Sequence, residues 1–323
     1  MEQPVKVGVI GVGALGRHHA RLYKECPHAE LVGVYDVNEE QVLKVAEEVG
    51  VPPYRDQIAL AEQATGLSIA VPTNRHFEVC KTMLEMGKHL LIEKPITETI
   101  SQAETLLSLA RKGGLIVQVG HVERFNPVIS YLEEKIDNPR FIESHRLSPY
   151  PPPRLGLPPR GTEVSVVLDL MIHDIDMVLN LTRSEVTHLD AVGIPILSRT
   201  EDIANARVQF ANGCVANLTA SRVTPEPMRK IRLFQRNCYL SLDYMAKSGE
   251  IFTREGAAIH RENVPVEDHN ALLKELEHFV ECIRVLRQTG VAPTPRVSGE
   301  HGLKALEVAN RIQETIRIAN PLS

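Results

Sequence analysis

The first third of the chain alternates between two textures. Short runs rich in Val, Ile and Leu, namely VKVGVI (5–10), LVGVY (31–35), LSIAV (67–71), HLLI (89–92) and LIVQV (115–119), are separated by longer stretches in which apolar residues recur every three or four positions. Near-continuous apolar runs mark strands covered on both faces, and the intervening period marks helices. The pattern therefore predicts a parallel sheet wound with helices. Helix stops fall where this needs them: Pro27 after the first helical segment, Gly50 after NEEQVLKVAEEV, and Gly87 after NRHFEVCKTMLEM. Asn38 with Gln41, and Ser101 with Glu104, have the spacing of capping boxes.

Beyond Gly120 the texture changes. PVISYLEEKI predicts a short helix and FIESHRL a strand, while SPYPPPRLGLPPRG (148–161) predicts a surface loop shaped by proline. VSVVLDLMIHDIDMVLNL is apolar on nearly every side, as a buried helix is. DIANARVQF and CVANLTASRV flank Asn212-Gly213, a hairpin signal, and KIRLFQ and YLSLDY extend the antiparallel series. Two amphipathic helices, ALLKELEHFVECIRVLRQ and GEHGLKALEVANRIQETIR, come last. The expected fold is α/β: a doubly wound parallel sheet over residues 1–120, then a second α/β domain over 121–323. A chain of 323 residues suits two domains of ~150 residues each.

Composition narrows the partners. The formal net charge is −5, no basic patch dominates, aromatics are 4% and Trp is absent, which argues against nucleic acid or an anionic membrane as partner. The apolar stretch VGVIGVGALG is far short of the ~20 residues that span a bilayer, and the first strand leaves no room for a secretory leader. A cytoplasmic protein is expected. Cys26, Cys80, Cys214, Cys238 and Cys282 form neither a CxxC nor a metal-like cluster, so reduced, structural thiols are expected rather than a catalytic one. No metal site is expected.

The chemistry begins where the first strand runs into GVGALG. Gly11, Gly13 and Gly16, with Ala14 and Leu15 between them, have the G-x-G-x-x-G spacing. A strand precedes, a helix follows, and the next strand ends in Asp36, 20 residues after Gly16. That context predicts a Rossmann dinucleotide site. Gly11 permits the tight turn, Gly13 admits the pyrophosphate to the backbone, Gly16 lets helix and strand pack, and the helix N-terminus faces the phosphates. Asp36 accepts from the ribose hydroxyls and repels a 2′-phosphate; Val37 and Asn38 supply no arginine, so NAD is favoured over NADP.

Ligands of such sheets collect at the carboxyl ends of the strands. Those ends carry Pro72, Thr73, Asn74 and His76, then Glu93, Lys94 and Pro95, then His121. Lys94 thus lies where a nicotinamide and its substrate are expected to meet. Farther on, Asp169 and His173 stand four apart in the apolar helix, with Asp176 a turn beyond. Alone, such a pair fits a structural role at least as well. Together with Lys94 it supplies what alcohol oxidation requires besides a hydride acceptor: a base, a group that orients it, and a cation for the developing alkoxide.

GVGALG, the PTNRH turn, EKP, GHVERFNP and DLMIHDID resemble, in order and spacing, the glucose–fructose oxidoreductase/inositol dehydrogenase (Gfo/Idh/MocA) family. The resemblance runs the length of the chain. It implies an N-terminal Rossmann domain and a C-terminal α/β domain on a large, mostly antiparallel open sheet, commonly the interface of a homodimer or homotetramer. It also implies catalytic roles for Lys94, Asp169 and His173. Glu93 and Pro95 would shape the lysine turn, Thr73, Asn74 and His76 would flank the cofactor, and His121, Arg124 and Asn126 would contact substrate, with structural roles for Arg124 and Asn126 as the alternative. Where many members carry glycines, this chain has Glu163-Val164-Ser165 and Met171, and the bulk of Met171 is expected to reshape the pocket floor.

GHVERFNPVI, FIESHRLSPYPPP and VVLDLMIHDIDMVL further resemble a bacterial branch that oxidises the 3-hydroxyl of UDP-N-acetylglucosamine, ahead of transamination on the route to 2,3-diamino lipid A. In that reading Arg124, Arg146, Arg154 and Arg160 meet a pyrophosphate; otherwise they are solvated or pair with the chain's many carboxylates. A free-polyol dehydrogenase, a glycosidase that retains its NAD, and a non-enzymatic NAD-binding regulator are the other readings. The retained Lys94, Asp169 and His173 weigh against the last.

Overall fold

The computed structural model describes residues 3–153, 161–162, 164–264 and 269–319. Arg154, Arg160 and Glu163 lie outside the described residues. The chain divides into two compact units, one of Met1–Phe125 with Asn270–Leu303 and the other of Asn126–His269 with Lys304–Ser323.

In the first unit, strands β1 (Val5–Ile10), β2 (Ala29–Tyr35), β3 (Pro53–Tyr54), β4 (Gly66–Ile69), β5 (His89–Glu93) and β6 (Val117–Gly120) form a parallel sheet in the order β3-β2-β1-β4-β5-β6. Helices α1 (Ala14–Tyr23), α2 (Glu39–Val49), α3 (Gln57–Gln63), α4 (Thr73–Glu85) and α5 (Ile100–Gly113) connect them. The strand order reverses between β1 and β4, which makes that crevice the switch point for a ligand. The buried face joins Val5, Val7 and Val9 of β1 to Leu276, Phe279 and Ile283 from residues 270–303. An amphipathic pattern tells that such a helix buries one face, but not against which sheet.

Asn38 caps α2 by accepting from the Gln41 N–H, and Gly50 ends it at φ 67°. The capping box of α5 is Thr99 with Gln102, two residues before the expected Ser101 and Glu104. Both pairs fit the S/T-x-x-E/Q pattern, and the point at which the chain turns into the helix selects the earlier one.

In the second unit, α6 (Pro127–Lys135) leads to β7 (Pro139–Leu147). A π-helical turn, Val167–Met171, runs into α7 (Ile172–Thr182). Strands β8 (Val186–Ile194), β9 (Ile203–Phe210), β10 (Val215–Ser221), β11 (Met228–Gln235), β12 (Cys238–Asp243), β13 (Ser248–Glu255) and β14 (Ala258–Asn263) complete an eight-stranded sheet in the order β14-β13-β12-β11-β7-β10-β9-β8. All pairings are antiparallel except β7 with β10. Apolar residues of α6 and α7 pack on one face of the sheet, Val128 and Met177 among them, with Ala206, Leu218 and Leu233 beneath. On the other face Phe141, Phe234, Tyr239 and Phe252 stack across four strands, with ring centroids 5.7, 4.6 and 5.4 Å apart. The terminal helices α8 (Ala271–Thr289) and α9 (Gly299–Ala319) close the chain.

Candidate active site

The glycine turn follows β1 directly. Gly11 adopts φ 89°, a conformation that side chains rarely take, and a Cβ on Gly16 would overlap the Gly11 carbonyl oxygen. Gly13 is the N-cap of α1 and offers no side-chain cap, no acidic residue lies in the first turn, and Gly13, Ala14 and Leu15 are exposed. The space a Cβ would take at Gly13 is open. An uncapped helix N-terminus facing open space suits a pyrophosphate, so these residues fit a dinucleotide.

Asp36 stands at the end of β2. Its Oδ2 accepts from the Val12 N–H at 2.8 Å and its Oδ1 from the Asn38 N–H at 3.0 Å, while the Gln41 amide donates to Val12 O at 2.9 Å. The carboxylate therefore braces the glycine turn and keeps lone pairs for further donors.

At the end of β5 the Lys94–Pro95 peptide is cis and Lys94 is half-buried. His76 is fully buried at the base of this turn: Nδ1 lies 3.0 Å from Pro95 O and 3.3 Å from Ile96 O, and Nε2 lies 3.0 Å from Val71 O. Its ring ties the end of the preceding strand to the lysine turn. Burial pushes its pKa down against these carbonyls. Pro72, Thr73 and Asn74 begin α4, with Pro72 and Asn74 exposed. Glu93 is buried and accepts from His19 Nε2 at 2.9 Å. Burial alone would raise its pKa, but the hydrogen bond and charge of His19 and the charge of Lys94 outweigh it and hold the carboxyl below its usual range.

His121 is fully buried after β6. Arg124 is buried too, and its guanidinium donates to Arg296 O at 3.1 Å while Arg296 donates back to Arg124 O at 2.8 Å. In the second unit Asn126 caps α6 through Val128 N and donates to Tyr244 O at 3.0 Å. Of the two roles weighed for Arg124 and Asn126, these bonds are the structural kind.

Asp169 lies in the π-helical turn and His173 in the first turn of α7, both half-buried. A π turn inside a helix is a common feature of functional sites. The next residue, Asp174, is buried and accepts from Ser144 Oγ, Arg146 Nε and Tyr244 Oη, each at 2.8 Å. This fixes the helix under His173 to β7 and to the loop after β12. Arg146 is thereby committed to a buried ion pair and is not placed to receive a pyrophosphate. Met171 is fully buried in the hydrophobic core, so its bulk fills the core rather than a pocket floor.

Motif spacing does not single out His19 or Asp174. A histidine among the apolar positions of the first helix and a second aspartate in an all-apolar helix are the signals that point to them. Burial raises the thiols of Cys26, Cys214 and Cys282 to about 12, 11 and 11, which leaves them protonated and poorly nucleophilic at neutral pH.

Residues 5–121 match a family profile described as an oxidoreductase family with an NAD-binding Rossmann fold, and residues 132–239 match the GFO/IDH/MocA C-terminal domain. The chain is 36% identical over 290 residues to a UDP-N-acetylglucosamine 3-dehydrogenase of Acidithiobacillus ferrooxidans, covering 88% of this chain and 90% of that protein. The solved structure of that organism's enzyme superposes with TM-score 0.89 at 34% identity, over 98% of this chain and 99% of the other. A scyllo-inositol 2-dehydrogenase (NAD(+)) of Bacillus subtilis is 26% identical over 88% of this chain and 87% of its own length.

Proposed function

This chain belongs to the GFO/IDH/MocA oxidoreductase family, and from that premise we propose that it oxidises the 3-hydroxyl of UDP-N-acetylglucosamine with NAD as acceptor. The observation that carries the reading is the 36% identity, over 88% of the chain, to a dehydrogenase of that substrate. The likeness extends far beyond the dinucleotide-binding residues.

NAD, when bound, supplies the hydride acceptor. The chain's residues hold it and handle the proton. Gly11, Gly13, Ala14, Leu15 and Gly16 receive the pyrophosphate, Asp36 takes the ribose hydroxyls, and Pro72, Thr73 and Asn74 flank the nucleotide. As the carbinol carbon gives up its hydride, His173 takes the hydroxyl proton, Asp169 orients the imidazole, and Lys94 stabilises the oxygen while it carries negative charge and helps relay the proton. A ketone is left.

In this reading the first unit carries the dinucleotide residues and Lys94, and the second carries Asp169 and His173. The aromatic stripe Phe141–Phe234–Tyr239–Phe252 supports self-association, as a homodimer or homotetramer, through the open face of the second sheet. No helix among the described residues is long and apolar enough to cross a membrane. The five cysteines are free thiols, which supports assigning the reaction to a reducing cytoplasm.

The test is NADH formation, followed by absorbance, with UDP-N-acetylglucosamine, UDP-glucose, UDP-N-acetylglucosaminuronate, myo-inositol and free hexoses. A carbonyl trap in each assay draws off the ketone. Signal with UDP-N-acetylglucosamine alone supports the proposal. Signal only with a polyol transfers the chain to the inositol type, a reading favoured by the scyllo-inositol relative. Hydrolysis of a chromogenic glycoside without net NADH overturns both.

A further inference from the structure

Arg222, at the end of β10, is almost fully buried, and each of its guanidinium nitrogens is engaged. Nε donates to Asp202 Oδ1 at 2.8 Å; Nη1 donates to Gly161 O at 2.6 Å and Val164 O at 2.8 Å; Nη2 donates to Ser198 Oγ and Thr200 Oγ1, both at 2.9 Å. Asp202 is fully buried and held as completely. Its Oδ2 accepts from the backbone N–H groups of Ile196, Leu197 and Ser198 at 2.7, 2.6 and 2.8 Å, and its Oδ1 also accepts from Ser198 Oγ at 2.7 Å. Burial alone would raise the Asp202 pKa, but the bonds from Arg222 and from Ser198 and Leu197 hold it well below the carboxylate range.

A buried ion pair is weak evidence for stability, because removing two charges from water offsets most of their attraction. What this pair fixes is a conformation. The two carbonyls that Arg222 grips, at 161 and 164, lie just before the π-helical turn carrying Asp169. Thr200 Oγ1 also donates to Val164 O and the Val166 N–H to Glu201 O, each at 3.0 Å. Gly161 itself stands against Asp169: a Cβ there would overlap Asp169 Oδ2 and lie 3.1 Å from Cγ, and its φ of 82° disfavours any side chain.

We propose that Arg222, anchored by Asp202, is a positioning residue for Asp169: it fixes the backbone at residues 161 and 164 so that Gly161 bounds the Asp169 carboxylate. This rests on the reading that Asp169 orients the proton-accepting His173. Lysine cannot substitute, since its three donors on a flexible stem do not form the planar fork that reaches five acceptors.

The test is a double-mutant cycle of Arg222→Lys with Asp169→Asn, assayed for kcat and KM with UDP-N-acetylglucosamine and NAD. Gly161→Ala, which presses on Asp169 while the Arg222 side chain itself is kept, is carried in parallel in case the lysine variant does not fold. Hydrogen exchange is read on the peptide spanning 162–169. Either variant is expected to lower kcat about tenfold or more with a smaller change in KM, and to add less than about twofold in the Asp169→Asn background. Arg222→Lys is expected to speed exchange in that peptide. Multiplicative losses, or exchange unchanged by Arg222→Lys, overturn the proposal. Wild-type turnover by Asp169→Asn instead removes the role of Asp169 on which it rests. Wild-type turnover by Arg222→Lys, with Asp169→Asn inactive, removes the clamp alone. If the wild type does not turn over this nucleotide sugar, the substrate reading has failed, and the exchange comparison decides the clamp.

Discussion

His19 Nε2 donates to Glu93 Oε1 at 2.9 Å, both side chains buried, and Glu93 is the residue before Lys94. The pair holds an ionised carboxylate beneath the lysine turn, since the partners outweigh burial and depress the Glu93 pKa. Removing one partner leaves a buried charge uncompensated, at a cost of about 3–5 kcal/mol. His19→Phe is therefore expected to be destabilised by a few kcal/mol at neutral pH. A depressed carboxylate contributes stability above its unfolded pKa and loses it as pH falls through the folded one. The gap between variant and wild type should narrow as pH drops through the carboxylate range. Urea unfolding at neutral and acidic pH checks this; a gap independent of pH would place the effect in packing.

Lys94→Ala and His173→Ala are each expected to lose about 100-fold or more in turnover while still binding NAD. Titration of NAD by fluorescence, alongside initial rates, separates the two roles. Loss of NAD binding with Lys94→Ala would make Lys94 a cofactor contact.

Asp36 serves the glycine turn as well as the expected ribose contact, through Val12 N and Asn38 N. Asp36→Ala should weaken NAD by about tenfold or more, a charge-assisted hydrogen bond being worth about 1.5–3 kcal/mol. Asp36→Asn keeps an acceptor and should weaken it less. Both should relax the discrimination against NADP, measured as the ratio of dissociation constants. An unchanged ratio would remove Asp36 from the ribose.

The first sheet is legible because strands buried on both faces read as apolar runs; β3, at Pro53–Tyr54, is too short to leave such a signal. β14 escapes for the opposite reason: all six of its residues are exposed, so no apolar alternation marks it. The lysine turn and the Asp169–His173 spacing are local patterns and can be read directly. The groups that hold them are not local. Asp202 and Arg222 meet because the β9–β10 hairpin register sets Ile203 opposite Ser221, and Arg146 meets Asp174 across a strand and a helix. Sequence alone leaves Arg146 open to a phosphate or a carboxylate; the fold assigns it, like Arg222, to a carboxylate.

Glu275, on the face of α8 that packs in the first unit, is fully buried, and neither carboxylate oxygen has a hydrogen-bond partner among the described residues. Burial, and after it the nearby charge of Glu93, push its pKa well above the usual value, so folding favours its protonated form. The unfolded chain releases that proton at the ordinary carboxylate pKa. Folding therefore takes up a proton above that value, and stability falls as pH rises, by up to about 1.4 kcal/mol per pH unit until the folded group titrates. Glu275→Gln removes the titration while keeping the shape. The variant should match the wild type at or below the ordinary carboxylate pKa and melt progressively higher than it as pH rises above that value. Thermal unfolding across pH measures the difference, and parallel curves would mean that Glu275 is not the group that takes up the proton.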